Sequence, residues 1–162
     1  MEYFLLKTQS GNPVPQICSW YGKLDERKLN RKHYKELSTY IMLDMKTGMD
    51  ILYPDVLTEP FLLVSKGVMD VIRMYEEDMP FLFAALYDTD KGESVSYYLP
   101  ILAEGNEECG DAIYHIRNKE RWEIRIRIDL VESLLARGAE GMELIQIGET
   151  GKGDQTWEKN IW

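Results

Sequence analysis

Apolar residues recur along this chain at two spacings, two and three-to-four, and each switch between them marks the border of an element. The clearest strand is 122–128, where Trp122, Ile124, Ile126 and Ile128 alternate with Glu123, Arg125 and Arg127. That alternation describes a sheet with one buried and one wet face. Met1–Lys7, Phe61–Val64, Phe81–Tyr87, Val95–Leu102, Ala112–Ile116 and Met142–Ile147 read as further strands. Residues 40–45 and 49–53 predict a hairpin turning at Gly48.

Two segments carry the helical period. Ser65 precedes Val68, Val71, Ile72 and Tyr75, which share one helix face, so Ser65 is the expected N-cap. Asp129 is the expected cap of the second helix, with Val131, Leu134 and Leu135 as its buried stripe. Gly138 suits the left-handed position after the last turn, and Gly141 helps the turn that follows. The order strand, cap, helix, tight turn, strand thus occurs at 61–87 and again at 124–147. The expected fold is α+β: a mixed or antiparallel sheet with two short helices, in a repeated strand–helix–strand unit.

No long linker divides the 162 residues, so 1–148 is read as one domain. The tail 149–162, with Trp157, Ile161 and Trp162, is expected to dock on that domain or on a partner, a second copy included. Residues 23–36 hold six Lys/Arg against three Asp/Glu and few apolar positions (Leu24, Leu29, Tyr34), which predicts a solvated helix or a mobile excursion.

Charge narrows the function classes. A net charge of −9 argues against nucleic-acid binding, which needs a basic footprint. It favours a basic protein partner, which an acidic surface attracts over distance. The acid is concentrated: residues 37–113 hold 15 Asp/Glu against 4 Lys/Arg. The candidate partner-binding residues are therefore the carboxylates of two polar turns: Asp88, Asp90 and Glu93, and Glu104, Glu107, Glu108 and Asp111.

Cys18 and Cys109 lie far apart, without zinc spacing, and this usage points to a reducing cytoplasm. Apolar runs are too short for a membrane span. The catalytic and cofactor motifs fail on inspection. GETGKGD (148–154) has Gln146 where a phosphate loop needs its first glycine, and Gly153 where it needs a hydroxyl. DTDKGE (88–93) has its glycine one position early for a calcium loop, and Leu99 stands at the position of the bidentate glutamate. His33 and His115 have no second histidine at metal spacing. No catalytic, cofactor or metal residue is therefore assigned. The residual enzyme reading pairs Cys18 or Cys109 with His115, or uses clustered carboxylates.

The order of PDVLTEPFLLVSKGVMDVIRMY (54–75), SYYLPIL (96–102), AIYHI (112–116) and IRIDLVESLLARGAEGMEL (126–144) resembles bacterial immunity protein family eleven, whose members are found near polymorphic or contact-dependent toxins. The likeness spans roughly residues 1–147. It lies in the pattern and order of elements, while segment 23–36 and the tryptophan-bearing tail depart from it. The resemblance implies a non-catalytic cytosolic inhibitor that binds and neutralises a toxin, and it assigns no role to any single residue. The alternatives are a structural or regulatory interaction module that self-associates through its tail tryptophans, and a small enzyme.

Overall fold

A computed structural model describes residues 2–118, 121–147 and the strand 158–161. The elements follow in the order β1 (Tyr3–Thr8), β2 (Gln16–Cys18), β3 (Tyr40–Lys46), β4 (Val56–Leu57), β5 (Leu63–Val64), α1 (Lys66–Tyr75), β6 (Phe81–Asp88) and β7 (Glu93–Pro100), then β8 (Ala103–Glu104), β9 (Ile113–Asn118), β10 (Arg121–Arg127), α2 (Ile128–Ala136), β11 (Met142–Gln146) and β12 (Glu158–Ile161). They form two six-stranded sheets, β12-β11-β1-β10-β9-β8 and β2-β3-β6-β7-β5-β4. Most neighbours are antiparallel, and β3–β6 and β8–β9 are parallel. Mixed sheets with two helices make this an α+β fold.

Both helices form where the sequence places them. The Ser65 hydroxyl accepts from the Val68 amide at 3.3 Å and satisfies one of the open N–H groups of the first turn of α1. Val68, Met69, Val71 and Ile72 of α1 are buried, as are Leu130, Val131 and Leu134 of α2. Gly138 closes α2 with φ +78°, a conformation in which a side chain would be strained. Asp129 differs from expectation: α2 starts two residues earlier, so Asp129 lies inside its first turn and Arg127 is the cap. The aspartate forks with the Arg127 guanidinium at 2.7 and 2.9 Å. That hydrogen bonding holds its carboxyl below the ordinary aspartate range.

Each helix links two strands of one sheet. β10 and β11 both run antiparallel to β1, which lies between them, and α2 links the two. β5 and β6 likewise flank β7, and α1 links them. α1 packs against α2, and both bury their stripes in one core with Phe4, Leu6, Ile126 and Leu144 of the first sheet and Val56 and Val64 of the second. A second core holds Leu43, Leu63, Leu82, Leu86, Tyr97 and Leu99. The neighbours Val56 and Leu57, and Leu63 and Val64, belong to opposite cores, so this edge of the second sheet is buried on both faces. Thr8 and Thr58 join the sheets by reciprocal bonds, each backbone N–H donating to the other hydroxyl oxygen at 3.0 and 2.8 Å.

Two expectations are overturned. Residues 49–53 are not a strand, because β3 already has β2 and β6 on its two sides, and the Leu52 amide donates instead to the Pro13 carbonyl. The basic segment is not the solvated helix that its charges offered as one reading. It folds into two 3-10 turns, Glu26–Lys28 and Tyr34–Glu36. Leu24 is buried in the second core, with Leu29, Tyr34 and Leu37 packed against it. Its few apolar residues are anchors, and together they bury enough surface to hold the basic ones in place.

Replacing Ser65 with alanine leaves the Val68 amide without its capping acceptor at the start of α1. The expected loss is about 1 kcal/mol, read as a lower urea midpoint with an unchanged slope.

Candidate functional site

The two acidic turns have different structures. The turn 88–93 closes the β6–β7 hairpin, and loop 105–112 joins β8 to β9 in the other sheet. No hydrogen bond or ion pair links the two groups of carboxylates among the described residues.

Asp88 is only 3% exposed. Its carboxylate accepts from the Thr47 hydroxyl and amide and from the amides of Asp90 and Lys91. These bonds, the Thr47 hydroxyl first, hold it below the ordinary aspartate range. Asp88 is therefore a turn-forming residue, expected as a partner contact but with its carboxylate engaged by Thr47 and its own turn. Glu93 accepts from the Tyr53 hydroxyl at 3.2 Å. Asp90 is open to solvent.

The second loop carries Glu104, Glu107 and Glu108 exposed and Asp111 half-buried, on a backbone pinned from below. The Tyr3 hydroxyl reaches the carbonyls of Cys109 and Asp111 at 3.0 and 2.9 Å. Arg127 donates to the Gly110 carbonyl, and the Ala112 amide donates to Glu76. Asn106 folds the tip by accepting from the Glu108 amide at 2.9 Å. Tyr114 lies beneath, 1% exposed and edge-on to Tyr3. Gly105 crosses so close to it that a Cβ would stand 2.4 Å from the Tyr114 ring and 2.9 Å from Cys109. Only glycine fits there without displacing the loop.

This loop also alters the expected wet face of β10. Arg125, on that face, is 7% exposed, bonded to Glu123 at 3.2 Å, and its Nε has no hydrogen-bond partner among the described residues. On the opposite face the pattern also departs from expectation. Ile126 is fully buried, but Trp122, two positions before Ile124, is 46% exposed.

Trp122 is exposed because the sheet runs past its cover into a cleft of about 1080 Å³. One wall is the segment from Glu26 to His33, and the other is β8, β9 and β10. In register, Arg117 faces Trp122, His115 faces Ile124, and Glu104 faces His115. His115 stacks on the indole at 4.3 Å, and the Arg117 guanidinium lies 5.5 Å from it. Burial lowers the His115 pKa from the ordinary 6.5, Glu104 opposes the shift and Arg31 adds to it. The His115 Nε2 is buried without a hydrogen-bond partner among the described residues. Across the cleft, Arg31 donates to the Ile101 carbonyl, tying the basic segment to the start of β8.

Five cations, Arg27, Arg31, Lys32, Arg117 and Arg121, line this cleft against Glu26, Glu59 and Glu104. A locally cationic hollow in a chain of charge −9 was not visible in the sequence, because its cations come from positions 27–32 and 117–121. Of the seven predicted carboxylates it holds only Glu104. The cysteine–histidine pairs of the enzyme reading do not converge. Tyr114, against which Cys109 packs, points to the opposite sheet face from its neighbour His115, and Cys18 lies in the second sheet. No three His, Cys, Asp or Glu side chains gather as metal ligands among the described residues. Nor is any described helix long and apolar enough to cross a membrane.

Gly105→Ala is expected to cost about 1–3 kcal/mol through overpacking and to loosen the acidic loop, seen as faster amide exchange at 106–111. A second expectation concerns pH. With the His115 pKa lowered in the folded state, the unfolded chain takes up its proton first as pH falls through about 6.5. Stability should therefore be fully present above that pH and decline below it, and His115→Gln should flatten the fall between pH 7 and 5.5 in urea titrations. Compared with known proteins, the chain matches no family model and no curated protein.

Proposed function

We propose that this chain is a non-catalytic binding protein of the immunity type, which neutralises a bacterial toxin in the cytosol by occupying a basic surface on it. The observation that carries the reading is the loop 105–112. Three exposed carboxylates, Glu104, Glu107 and Glu108, stand on or beside a backbone held by Tyr3, Arg127, Asn106 and the close approach at Gly105. A loop ordered before binding loses little conformational entropy when the partner arrives, so more of its contact energy becomes affinity. Fixed carboxylates also steer a cationic partner during approach. The corresponding turn at 88–93 contributes less, since Asp88 serves its own backbone. The likeness in element order to the immunity family supports the same reading, as does the matched pair of helix connections, which we take as two copies of one strand–helix–strand plan.

The test is co-expression with the product of the adjacent gene, followed by pull-down and measurement of the association rate. A complex is expected, and Glu107→Lys with Glu108→Lys should slow association roughly tenfold at low ionic strength, with the difference shrinking as salt is added. No complex with any neighbouring product would overturn the function. A complex whose association rate ignores the reversal would overturn the interface.

A further inference from the structure

We propose that the cleft between the basic segment and strands β8–β10 is a binding site for a nucleoside phosphate. The inference does not rest on the toxin-binding reading: it uses residues outside the acidic loop tip and shares with that reading only Glu104.

The first observation is a set of cations without carboxylate partners. Lys32, Arg117 and Arg121 line the cleft, and none has an ion pair among the described residues. Arg27 in the cleft, and Lys23, Lys66, Arg125 and Arg127 elsewhere, each sit on a carboxylate. Three cations without a carboxylate partner among the described residues, lining one hollow from both walls, favour an anion. An arginine fork meets two phosphate oxygens at once, which an isolated point charge does not. The acidity of the rest of the chain does not cancel this, because charges beyond about 8 Å are screened at physiological salt.

The second observation is aromatic. Trp122 is 46% exposed on the cleft wall, stacked on His115 and with the Arg117 guanidinium over its ring at 5.5 Å. An indole kept open within a hollow gives a flat ring a stacking surface. The phosphate-binding arginine lies next to it in register, so ring and phosphate would be held on adjoining positions. The third is polar. His115 Nε2 lacks a hydrogen-bond partner among the described residues, and Glu104 and Glu59 also line the cleft as acceptors. Hydroxyl and amino hydrogens of a nucleoside supply what these carboxylates accept. The cleft volume of about 1080 Å³ is also of the size that holds a small ligand. A bare inorganic anion would use only the cations and leave the indole and the acceptors idle.

The experiment is titration calorimetry of the full chain with ADP, adenosine and inorganic pyrophosphate in parallel. ADP should bind, and pyrophosphate and adenosine should each bind at least tenfold more weakly, since stacking of one base is worth about 1–3 kcal/mol. Arg121→Gln, at an exposed position, and Arg117→Gln should weaken both ADP and pyrophosphate. Trp122→Ala should weaken ADP about tenfold and leave pyrophosphate unchanged, which also shows that the cleft remains folded in that variant. Absence of ADP binding overturns the proposal, as does pyrophosphate binding as tightly as ADP, or ADP affinity unaltered in both arginine variants.

Discussion

The packing of α1 on α2 is the contact on which the rest of the structure depends. Ile72 and Val68 of one helix and Leu134 and Leu130 of the other share a core with residues from both sheets. Without it neither sheet would have a cover for its inner face, and the strand edges at β4 and β5 would be left half-wet. The helices are short. Ten residues of α-helix extend about 15 Å, whereas seven residues of strand extend about 23 Å. The cover therefore ends before the strands do, and β9 and β10 continue past it with Trp122, His115 and Arg117 on the same face as the core residues Ile126 and Ile113. The cleft follows from this mismatch in length.

The same economy explains the basic segment. The second sheet needs a cover on its outer face, and Leu24, Leu29, Tyr34 and Leu37 provide it from a stretch with little regular structure. Side chains that cannot face that core are left along the opposite side of the segment, where they become the far wall of the cleft. One structural requirement, closing the second core, thus brings cations to the indole. On the other side of the first sheet, the loop 105–112 closes over Tyr114, and its carboxylates are held outward as a result.

Much of the fold was legible in advance. Periods of two and three-to-four located both helices and the long strands, and Ser65 and Gly138 took the terminal positions their chemistry suits. The short strands β2, β4 and β8 were not legible, since two or three residues carry no period. The hairpin reading of 40–53 failed because alternation reports that a segment is extended and says nothing about which strand it pairs with. Asp129 missed the cap by a small offset, and its bond to Arg127 depends on where the helix begins. The tail tryptophans Trp157 and Trp162 lie outside the described residues, and of that stretch only β12, paired with β11, is described.

The sequence by itself determined what is local: which segments alternate, where a cap or a left-handed turn must fall, and how acid is distributed along the chain. Those properties depend on residues a few positions apart, whose relation the backbone already sets. Tertiary structure alone decided which acidic residues face outward and which, like Asp88, are consumed by their own turn. It alone brought Lys32 to face Arg117 across one hollow. Such juxtapositions depend on how strands order themselves in a sheet and where a short helix stops covering one, and both are settled only when the cores close.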